Sequence, residues 1–190
     1  MRTEQLKLAY TIPLAKPALK WAGGKQQLLN VLMPKIPQRY NRYIEPFFGG
    51  GALFFAHRPK NAIIADSNPE LVNLYKIIRD DVKILIGELK EFSPSEKEFY
   101  KIRAIDPGTL LPVQQAARTI FINRTCFNGL YIVNRQGKFN VPYGHYKNPT
   151  ICDVAKLCAA SRVLQAVEIF HGDYKAVLNQ YALPGDFIYL

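Results

Sequence analysis

The stretch that decides the fold is Tyr43-Ile44-Glu45-Pro46-Phe47-Phe48-Gly49-Gly50-Gly51-Ala52-Leu53-Phe54-Phe55. It predicts a β-strand, a glycine turn and the start of a helix, because three glycines separate two apolar runs. Glycine lets the backbone turn sharply and approach a ligand closely. In an open α/β sheet, such a turn lies at the carboxyl end of a strand, where ligands bind.

An acidic residue, Asp66, follows a second strand-like run, Ala62–Ala65. A carboxylate at this place can accept hydrogen bonds from ribose hydroxyls. The glycine spacing differs from G-x-G-x-x-G, which argues against a dinucleotide pyrophosphate. Both features also have structural alternatives, since a triple glycine is often only a flexible turn and Asp66 can cap a helix. Their order, each after a strand, favours a nucleotide-like ligand.

The composition indicates a globular chain with a strong positive charge. Its 190 residues suffice for one domain, or one with a large insertion, and their formal net charge is +10. The charge favours a polyanionic partner, above all nucleic acid, over a merely solvated surface. Without a membrane-length apolar run or a secretory signal, the chain is expected to be soluble and cytoplasmic. The three cysteines fit reduced thiols better than a zinc site.

A second glycine turn, Lys20-Trp21-Ala22-Gly23-Gly24-Lys25, precedes a short predicted helix over Leu28–Ile36. Two glycines and a lysine before a helix are similar to a phosphate cradle. The pattern G-x-x-x-x-G-K-[ST] is not met, because the first glycine is missing and Gln26 replaces Ser or Thr. Trp21 and Lys25 suit a small ligand with an aromatic ring and a carboxylate. A helix start with a core tryptophan explains them equally well.

Apolar residues at helical spacing predict helices over Glu70–Arg79, over Asp80–Glu91, from Glu96 onward and over Gln114–Phe121. Two β-prone runs around Asn134-Arg135-Gln136-Gly137 then predict a hairpin. Basic, amide and aromatic residues surround this hairpin and suit phosphate contacts and base-edge readout. An ordinary exposed hairpin is the alternative.

The last part of the chain predicts a helix over Ile151–Leu164 and a strand that begins at Val167 and ends in an Asp-aromatic pair at Asp173-Tyr174. This pair could hold an adenine ring or simply begin the helix Lys175–Tyr181. A turn then leads into a strand over Phe187–Leu190, whose apolar residues predict a central, buried position. Residues 1–17 carry little pattern and are expected to form an irregular arm.

Five blocks in order resemble the DNA adenine-N6 methyltransferases of the DNA adenine methylase type. The resemblance covers about residues 19–190. The first and fourth blocks are the most specific. The blocks are Lys20-Trp21-Ala22-Gly23-Gly24-Lys25, Glu45-Pro46-Phe47-Phe48-Gly49-Gly50-Gly51, Asp66-Ser67-Asn68, Asn123-Arg124-Thr125-Cys126-Phe127-Asn128-Gly129-Leu130 and Gly172-Asp173-Tyr174.

The resemblance implies a Rossmann-like α/β sheet that binds S-adenosyl-L-methionine. Residues 1–70 and 160–190 would form the cofactor-binding domain, and residues 71–159 an inserted target-recognition region. The implied cofactor-binding residues are Trp21, Lys25, Glu45, Pro46, Phe47, Gly49, Gly51, Asp66, Asp173 and Tyr174. Within this set, Trp21 and Lys25 would flank the methionine end, Asp66 would hold the ribose hydroxyls and Asp173-Tyr174 would meet the adenine.

The resemblance also implies double-stranded DNA as the partner, with the target adenine flipped out of the duplex. The oligomeric state and the role in a bacterial or phage restriction-modification system stay open. Ile132 stands where family members that read GATC commonly have a basic residue, which leaves the target sequence undecided. The implied DNA-binding residues are Lys20, Arg124, Asn128, Leu130, Arg135, Lys138, Asn140 and Tyr146.

The family's catalytic motif, Asp-Pro-Pro-Tyr, normally follows the strand represented here by Phe187–Leu190. No catalytic residue is therefore assigned, and the chain is expected to be an N-terminal portion of such an enzyme, truncated or split, and inactive alone. Two alternatives remain. The first is a non-catalytic DNA-binding module that retains the fold, and the second is a nucleotide-dependent enzyme that uses Gly23-Gly24-Lys25 as a phosphate loop.

Overall fold

The computed structural model describes residues 14–190, so most of the predicted N-terminal arm lies outside the described residues. Parallel strands alternate with helices along this range. The strands are β1 (Tyr43–Glu45), β2 (Ala62–Asp66), β3 (Val167–His171) and β4 (Phe187–Ile188). The helices are α1 (Leu29–Leu32), α2 (Ala52–His57), α3 (Pro69–Asp80), α4 (Val82–Lys90), α5 (Glu96–Ala104), α6 (Pro112–Thr125), α7 (Val154–Leu164) and α8 (Tyr174–Tyr181). Short 3₁₀ turns lie at Lys25–Leu28, Met33–Lys35, Pro107–Thr109 and Phe127–Gly129.

The four strands form one parallel sheet in the order β3-β2-β1-β4. Tyr43 in β1 pairs with Ala62 on one side and with Phe187 on the other. From β1, the next two strands along the chain, β2 and β3, are added on one side, and the last strand, β4, is added on the other side of β1. Such a reversal is a topological switch point, and ligands bind there at the carboxyl ends of the strands. The Rossmann-like α/β class predicted from the sequence is confirmed.

Helices cover both faces of the sheet. Successive side chains of a strand point to opposite faces, so neighbouring strand residues pack against different helical layers. Ile44 and Ile63 pack with Val177 of α8 on one face. Tyr43 and Ile64 belong to a larger core on the other face, which includes residues of α2 and α3. All five side chains are at most 4% exposed, as expected for a parallel sheet between helical layers.

Polar caps set the beginnings of several helices. The side chain of Asn68 accepts the backbone N–H of Glu70 at 3.0 Å and begins α3. The side chain of Asp153 accepts the backbone N–H of Lys156 at 3.0 Å. This cap explains why α7 begins after residue 153 and not at residue 151, where the apolar pattern predicted its start.

The region between β2 and β3 contains α3 to α7 and the predicted hairpin. The hairpin is present as a loop, since Asn134 donates its backbone N–H to the carbonyl of Lys138 and Asn140 to that of Ile132, both at 2.8 Å. The prediction of two β-runs is wrong: Val133 and Phe139 form only an isolated bridge. A two-stranded ribbon with both faces largely exposed is marginally stable. Residues 130–147 are called the hairpin segment below.

The predicted strand at Phe187–Leu190 is present but shorter, as β4. Arg42 holds the turn before it through a salt bridge to Asp186 at 2.8 Å. The prediction of a central, buried strand is wrong for the part of the chain that the structure describes. There β4 lies at the sheet edge, and Ile188 is 38% exposed.

Two further properties concern membranes and thiols. Across residues 14–190, no helix combines the length and apolar character needed to cross a membrane. Cys126, Cys152 and Cys158 are free thiols. Burial raises the pKa of Cys126 to about 11, so this thiol is neutral at physiological pH and unsuited to nucleophilic chemistry.

Candidate functional site

A cavity of about 370 Å³ opens at the carboxyl ends of β1, β2 and β4. It lies at the switch point between β1 and β4, where the fold predicts a ligand. The volume is within the range of small-molecule sites. Its lining residues are Trp21, Ala22, Gly23, Gly24, Lys25, Glu45, Phe47, Phe48, Gly49, Gly50, Gly51, Ala52, Leu53, Asp66, Tyr189 and Leu190.

The glycine turn after β1 forms one wall of this cavity because Trp21 packs directly on it. A Cβ atom at Gly49 would lie 2.8 Å from Cδ1 of Trp21, and one at Gly50 would lie 3.0 Å from its Cβ. Gly49 and Gly51 have φ angles of +47° and +66°, which favour glycine. Glycine is therefore required at this turn both by the close approach of Trp21 and by the positive φ angles of the backbone.

Asp66, at the end of β2, fixes the same turn. Its Oδ2 accepts the backbone N–H of Gly49 at 2.8 Å, and its Oδ1 accepts that of Asn68 at 2.9 Å. An ionised carboxylate has about four acceptor positions. Asp66 can therefore hold the turn and still accept hydroxyl donors from a ligand in the cavity.

Trp21 and Lys25 belong to a second turn that also lines the cavity. Gly24 donates its backbone N–H to the carbonyl of Trp21 at 3.0 Å and closes the turn. The 3₁₀ turn then begins at Lys25, whose side chain is exposed. The structure brings both residues into one cavity lining with the glycine turn, although they lie more than twenty positions before it along the chain.

Glu45 is a buried acid in the wall of the cavity, with an exposed fraction of only 3%. Its carboxylate accepts a hydrogen bond from the Tyr43 hydroxyl at 2.6 Å. Burial raises the pKa of Glu45 to about 8, despite this hydrogen bond, so the carboxyl is largely protonated at pH 7. The sequence gives no signal of this protonation.

Three of the implied cofactor residues lie outside the cavity lining: Pro46, Asp173 and Tyr174. Asp173 accepts the backbone N–H of Lys175 at 2.9 Å and caps α8, as the structural alternative predicted. The Tyr174 ring lies 4.9 Å from the ring of Phe47, which does line the cavity. The exposed Phe47 ring and the half-buried Tyr174 ring thus lie together at the edge of the cavity.

A buried amide joins the turn at Lys20 to the 3₁₀ turn at Gly129. Asn123 accepts the backbone N–H of Lys20 at 3.0 Å and donates to the carbonyls of Lys20 at 2.8 Å and Gly129 at 3.0 Å. A Cβ at Gly129 would lie 2.6 Å from the Cβ of Lys20. This close approach requires glycine at position 129 of the fourth block. The hydrogen-bonding role of Asn123 was not predicted from the sequence.

A second cavity, of about 510 Å³, lies behind Trp21 and is lined by four cationic residues, Lys16, Lys20, Arg124 and Lys156. The buried Nε of Arg124 has no acceptor among residues 14–190. Burial lowers the pKa of Arg124 and, together with the nearby Arg124 charge, that of Lys156. Such a cluster of repelling cations suits an anionic ligand.

The remaining implied DNA-binding residues lie in the turn after α6, in the hairpin segment and at Lys20. Asn128 is exposed with a φ of +53° at the end of this helix, and Leu130 is half-buried behind it. Lys20 lies over the ring of Tyr146 at 4.6 Å. Arg135, Lys138 and Asn140 in the hairpin segment are exposed.

Comparisons with known proteins agree with these features. A family model for the D12 class N6 adenine-specific DNA methyltransferase matches residues 21–190. The Type II methyltransferase M.MjaIII of Methanocaldococcus jannaschii is 40% identical over 195 aligned residues, which cover 92% of this chain and 67% of that protein. The Type II methyltransferase M1.LlaDCHI of Lactococcus lactis subsp. cremoris is 41% identical over 182 residues, covering 92% and 64%.

The DNA adenine methylase of Haemophilus influenzae is 35% identical over 137 residues, which cover 70% of this chain and 48% of the relative. The chain thus spans between about half and about two thirds of the length of these relatives. The resemblance identified from the five sequence blocks is confirmed. The chain belongs to the D12 class of N6 adenine-specific DNA methyltransferases.

Proposed function

We propose that this protein acts in the transfer of a methyl group from S-adenosyl-L-methionine to the N6 atom of adenine in double-stranded DNA. The observation that carries the proposal is the cavity at the switch point, where Asp66 holds the glycine turn against Trp21. Family membership supplies the reaction class. The free thiols are compatible with the proposed cytoplasmic location.

The lining of the cavity fits this cofactor in chemistry and in size. Asp66 offers anionic acceptors for ribose hydroxyls, Lys25 offers a cation for a carboxylate, and Trp21 and Phe47 offer aromatic faces. When bound, S-adenosyl-L-methionine supplies an electrophilic methyl group on a sulfonium. The role of this chain is to bind and orient the cofactor, and Asp173 and Tyr174 would contribute only from the outer edge, next to Phe47.

The positive charge is arranged to receive DNA. The cationic cavity with Arg124 and the exposed Arg135 and Lys138 offer partners for backbone phosphates, while Asn128 and Asn140 offer amide groups for base edges. A reacting adenine must leave the duplex to reach the cofactor, because its amino group is enclosed by base pairing. The proposed DNA contacts would hold the flanking duplex during that step.

The 190 residues do not contain Asp-Pro-Pro-Tyr, the motif that the family uses to bind and align the target amino group. A polypeptide of these residues is therefore expected to bind S-adenosyl-L-methionine and DNA without methylating it. Transfer of a labelled methyl group to plasmid DNA measures this directly. Turnover by the purified 190-residue polypeptide would contradict the expected inactivity but leave the family reaction intact.

The fluorescence of Trp21 provides the cofactor assay, because Trp21 is the single tryptophan of the chain and lines the cavity. Titration with S-adenosyl-L-methionine should change the emission, and a tenfold excess of ATP should not compete. Competition by ATP would favour a phosphate loop at Gly23-Gly24-Lys25. Sequence-selective DNA binding without any cofactor response would favour the non-catalytic DNA-binding module.

For DNA, we expect Lys138→Ala to weaken binding to all sequences alike. A lysine that contacts a phosphate contributes about 0.9 to the slope of log K against log salt concentration, so the slope should fall by about that amount. Fluorescence anisotropy with two unrelated duplexes at several salt concentrations measures both effects. Lys83→Ala, at an exposed position on α4, is the matched control. An unchanged slope for Lys138→Ala would exclude a phosphate contact.

A further inference from the structure

A continuous chain of hydrogen bonds leads from the cofactor cavity to the first turn of α3. Gly49 donates to Oδ2 of Asp66 at 2.8 Å, and Asn68 donates to Oδ1 of the same carboxylate at 2.9 Å. The side chain of Asn68 then accepts the backbone N–H of Glu70 at 3.0 Å. The position of Glu70 is therefore tied to the glycine turn through two short polar side chains.

Glu70 is the half-buried centre of a second group of hydrogen bonds. Its Oε1 accepts the hydroxyl of Tyr131 at 2.8 Å, and its Oε2 accepts Nη1 of Arg118 and the hydroxyl of Thr119, both at 3.2 Å. The side chains of Glu70 and Arg118 are only 13% and 3% exposed. Both carboxylate oxygens are thus occupied in an environment where an unpartnered charge would be costly.

Tyr131 lies where the hairpin segment leaves the helical region. Its ring is 5.3 Å from Trp21 and 5.6 Å from Phe139, the buried apolar anchor of the hairpin segment. Its hydroxyl is bound to Glu70. Tyr131 therefore touches the wall of the cofactor cavity and the base of the DNA-facing segment at the same time.

We infer that Glu70 and Tyr131 are positioning residues through which the cofactor cavity holds the hairpin segment in its DNA-facing arrangement. Binding in the cavity fixes the glycine turn and Trp21, and the hydrogen-bond chain and the Trp21–Tyr131 contact transmit this order to the segment. This inference rests on the proposed function, because it takes the cofactor and DNA as the two ligands. It predicts that cofactor binding and the order of the hairpin segment depend on one another.

Tyr131→Phe tests the inference, since it removes one hydroxyl and keeps the ring against Trp21. Removing Glu70 would leave Arg118 buried without its carboxylate and could prevent folding. Tyr143→Phe is the matched control, because the Tyr143 hydroxyl donates to the carbonyl of Pro94 at 3.1 Å and has no contact with Glu70. Amide hydrogen exchange of residues 132–140 is measured in the purified protein, alone and with S-adenosyl-homocysteine.

Without ligand, Tyr131→Phe should speed exchange of the bonded amides of Asn134, Gly137 and Asn140 by roughly tenfold, the factor expected for loss of one hydrogen bond to a charged group. Tyr143→Phe should leave these rates within about twofold of the unsubstituted protein. S-adenosyl-homocysteine should slow exchange at these amides in the unsubstituted protein and in Tyr143→Phe, and much less in Tyr131→Phe.

The outcomes separate this inference from the proposed function. Equal exchange rates in both variants without ligand overturn the positioning role, whatever the cavity binds. If bound S-adenosyl-homocysteine leaves the amide exchange rates of the hairpin segment unchanged in the unsubstituted protein, the positioning role is also overturned, although the proposed function then stands. Absence of any Trp21 fluorescence response to the ligand in the unsubstituted protein contradicts the proposed function itself, and the exchange rates without ligand still decide whether Tyr131 positions the segment.

Discussion

Replacing Asp66 by alanine is expected to weaken binding of S-adenosyl-L-methionine by about 100-fold or more. The carboxylate accepts the backbone N–H groups of Gly49 and Asn68 and has acceptor positions left for the ligand. Hydrogen bonds to a charged group contribute about 1.5–3 kcal/mol each, and about 1.4 kcal/mol corresponds to a tenfold change in affinity. The variant loses the ligand contact and also the clamp on the glycine turn.

The measurement is a Trp21 fluorescence titration, confirmed by calorimetry. Asp106→Ala is the matched control, because Asp106 accepts the backbone N–H of Gly108 at 2.9 Å in the same local geometry but lies outside the cavity lining. The control should bind the cofactor normally. Asp66→Asn should fall between the two, since it keeps an oxygen acceptor and loses the charge. An unchanged dissociation constant for Asp66→Ala would remove Asp66 from the proposed site.

The sequence predicted the parts of the site that depend on local pattern. The glycine turn and Asp66 each follow a predicted strand, and Trp21 precedes a predicted helix, and these elements can be predicted from the hydrophobic periodicity of a short segment. The carboxyl ends of parallel strands lie at the same edge of the sheet, so residues that follow two such strands come close together. The same reasoning predicted α3 over Glu70–Arg79, one residue short of the observed helix at each end. Local information therefore located the cavity wall and most of the elements that support it.

The remaining features depend on contacts between distant segments. The raised pKa of Glu45 arises from burial in the folded chain, where Tyr75 and Tyr189 lie near its carboxyl. The hydrogen bonds of Glu70 join α3 to α6 and to the hairpin segment, 48 to 61 residues further along the chain. The β-prone runs beside Asn134 also show the limit of pattern. β-propensity requires a partner surface to pack on, and residues 132–138 of the hairpin segment are exposed.

Glu45 is expected to make the free energy of unfolding fall as pH rises from about 4.5 to about 8, the bounds set by its ordinary pKa and its raised pKa in the fold. Below this window the carboxyl is protonated in both states. Within it the unfolded chain releases the proton while the folded chain retains it, so unfolding is favoured. Above it the carboxyl is ionised in both states and the loss is complete.

Glu45→Gln should abolish this dependence, because the amide has the size of the protonated carboxyl and can keep a hydrogen bond to the Tyr43 hydroxyl. A difference of one in pKa corresponds to about 1.4 kcal/mol, so the variant should gain on the order of several kcal/mol over the unsubstituted protein between pH 5 and about pH 9. Urea unfolding at a series of pH values measures the difference, with Glu168→Gln, an exposed position in β3, as the control.

Equal pH profiles for the unsubstituted protein and Glu45→Gln would show that Glu45 is ionised in the folded state. Asp66 would then share the negative charge of the cavity with Glu45, whereas a protonated Glu45 leaves Asp66 as the one anionic side chain among the described lining residues.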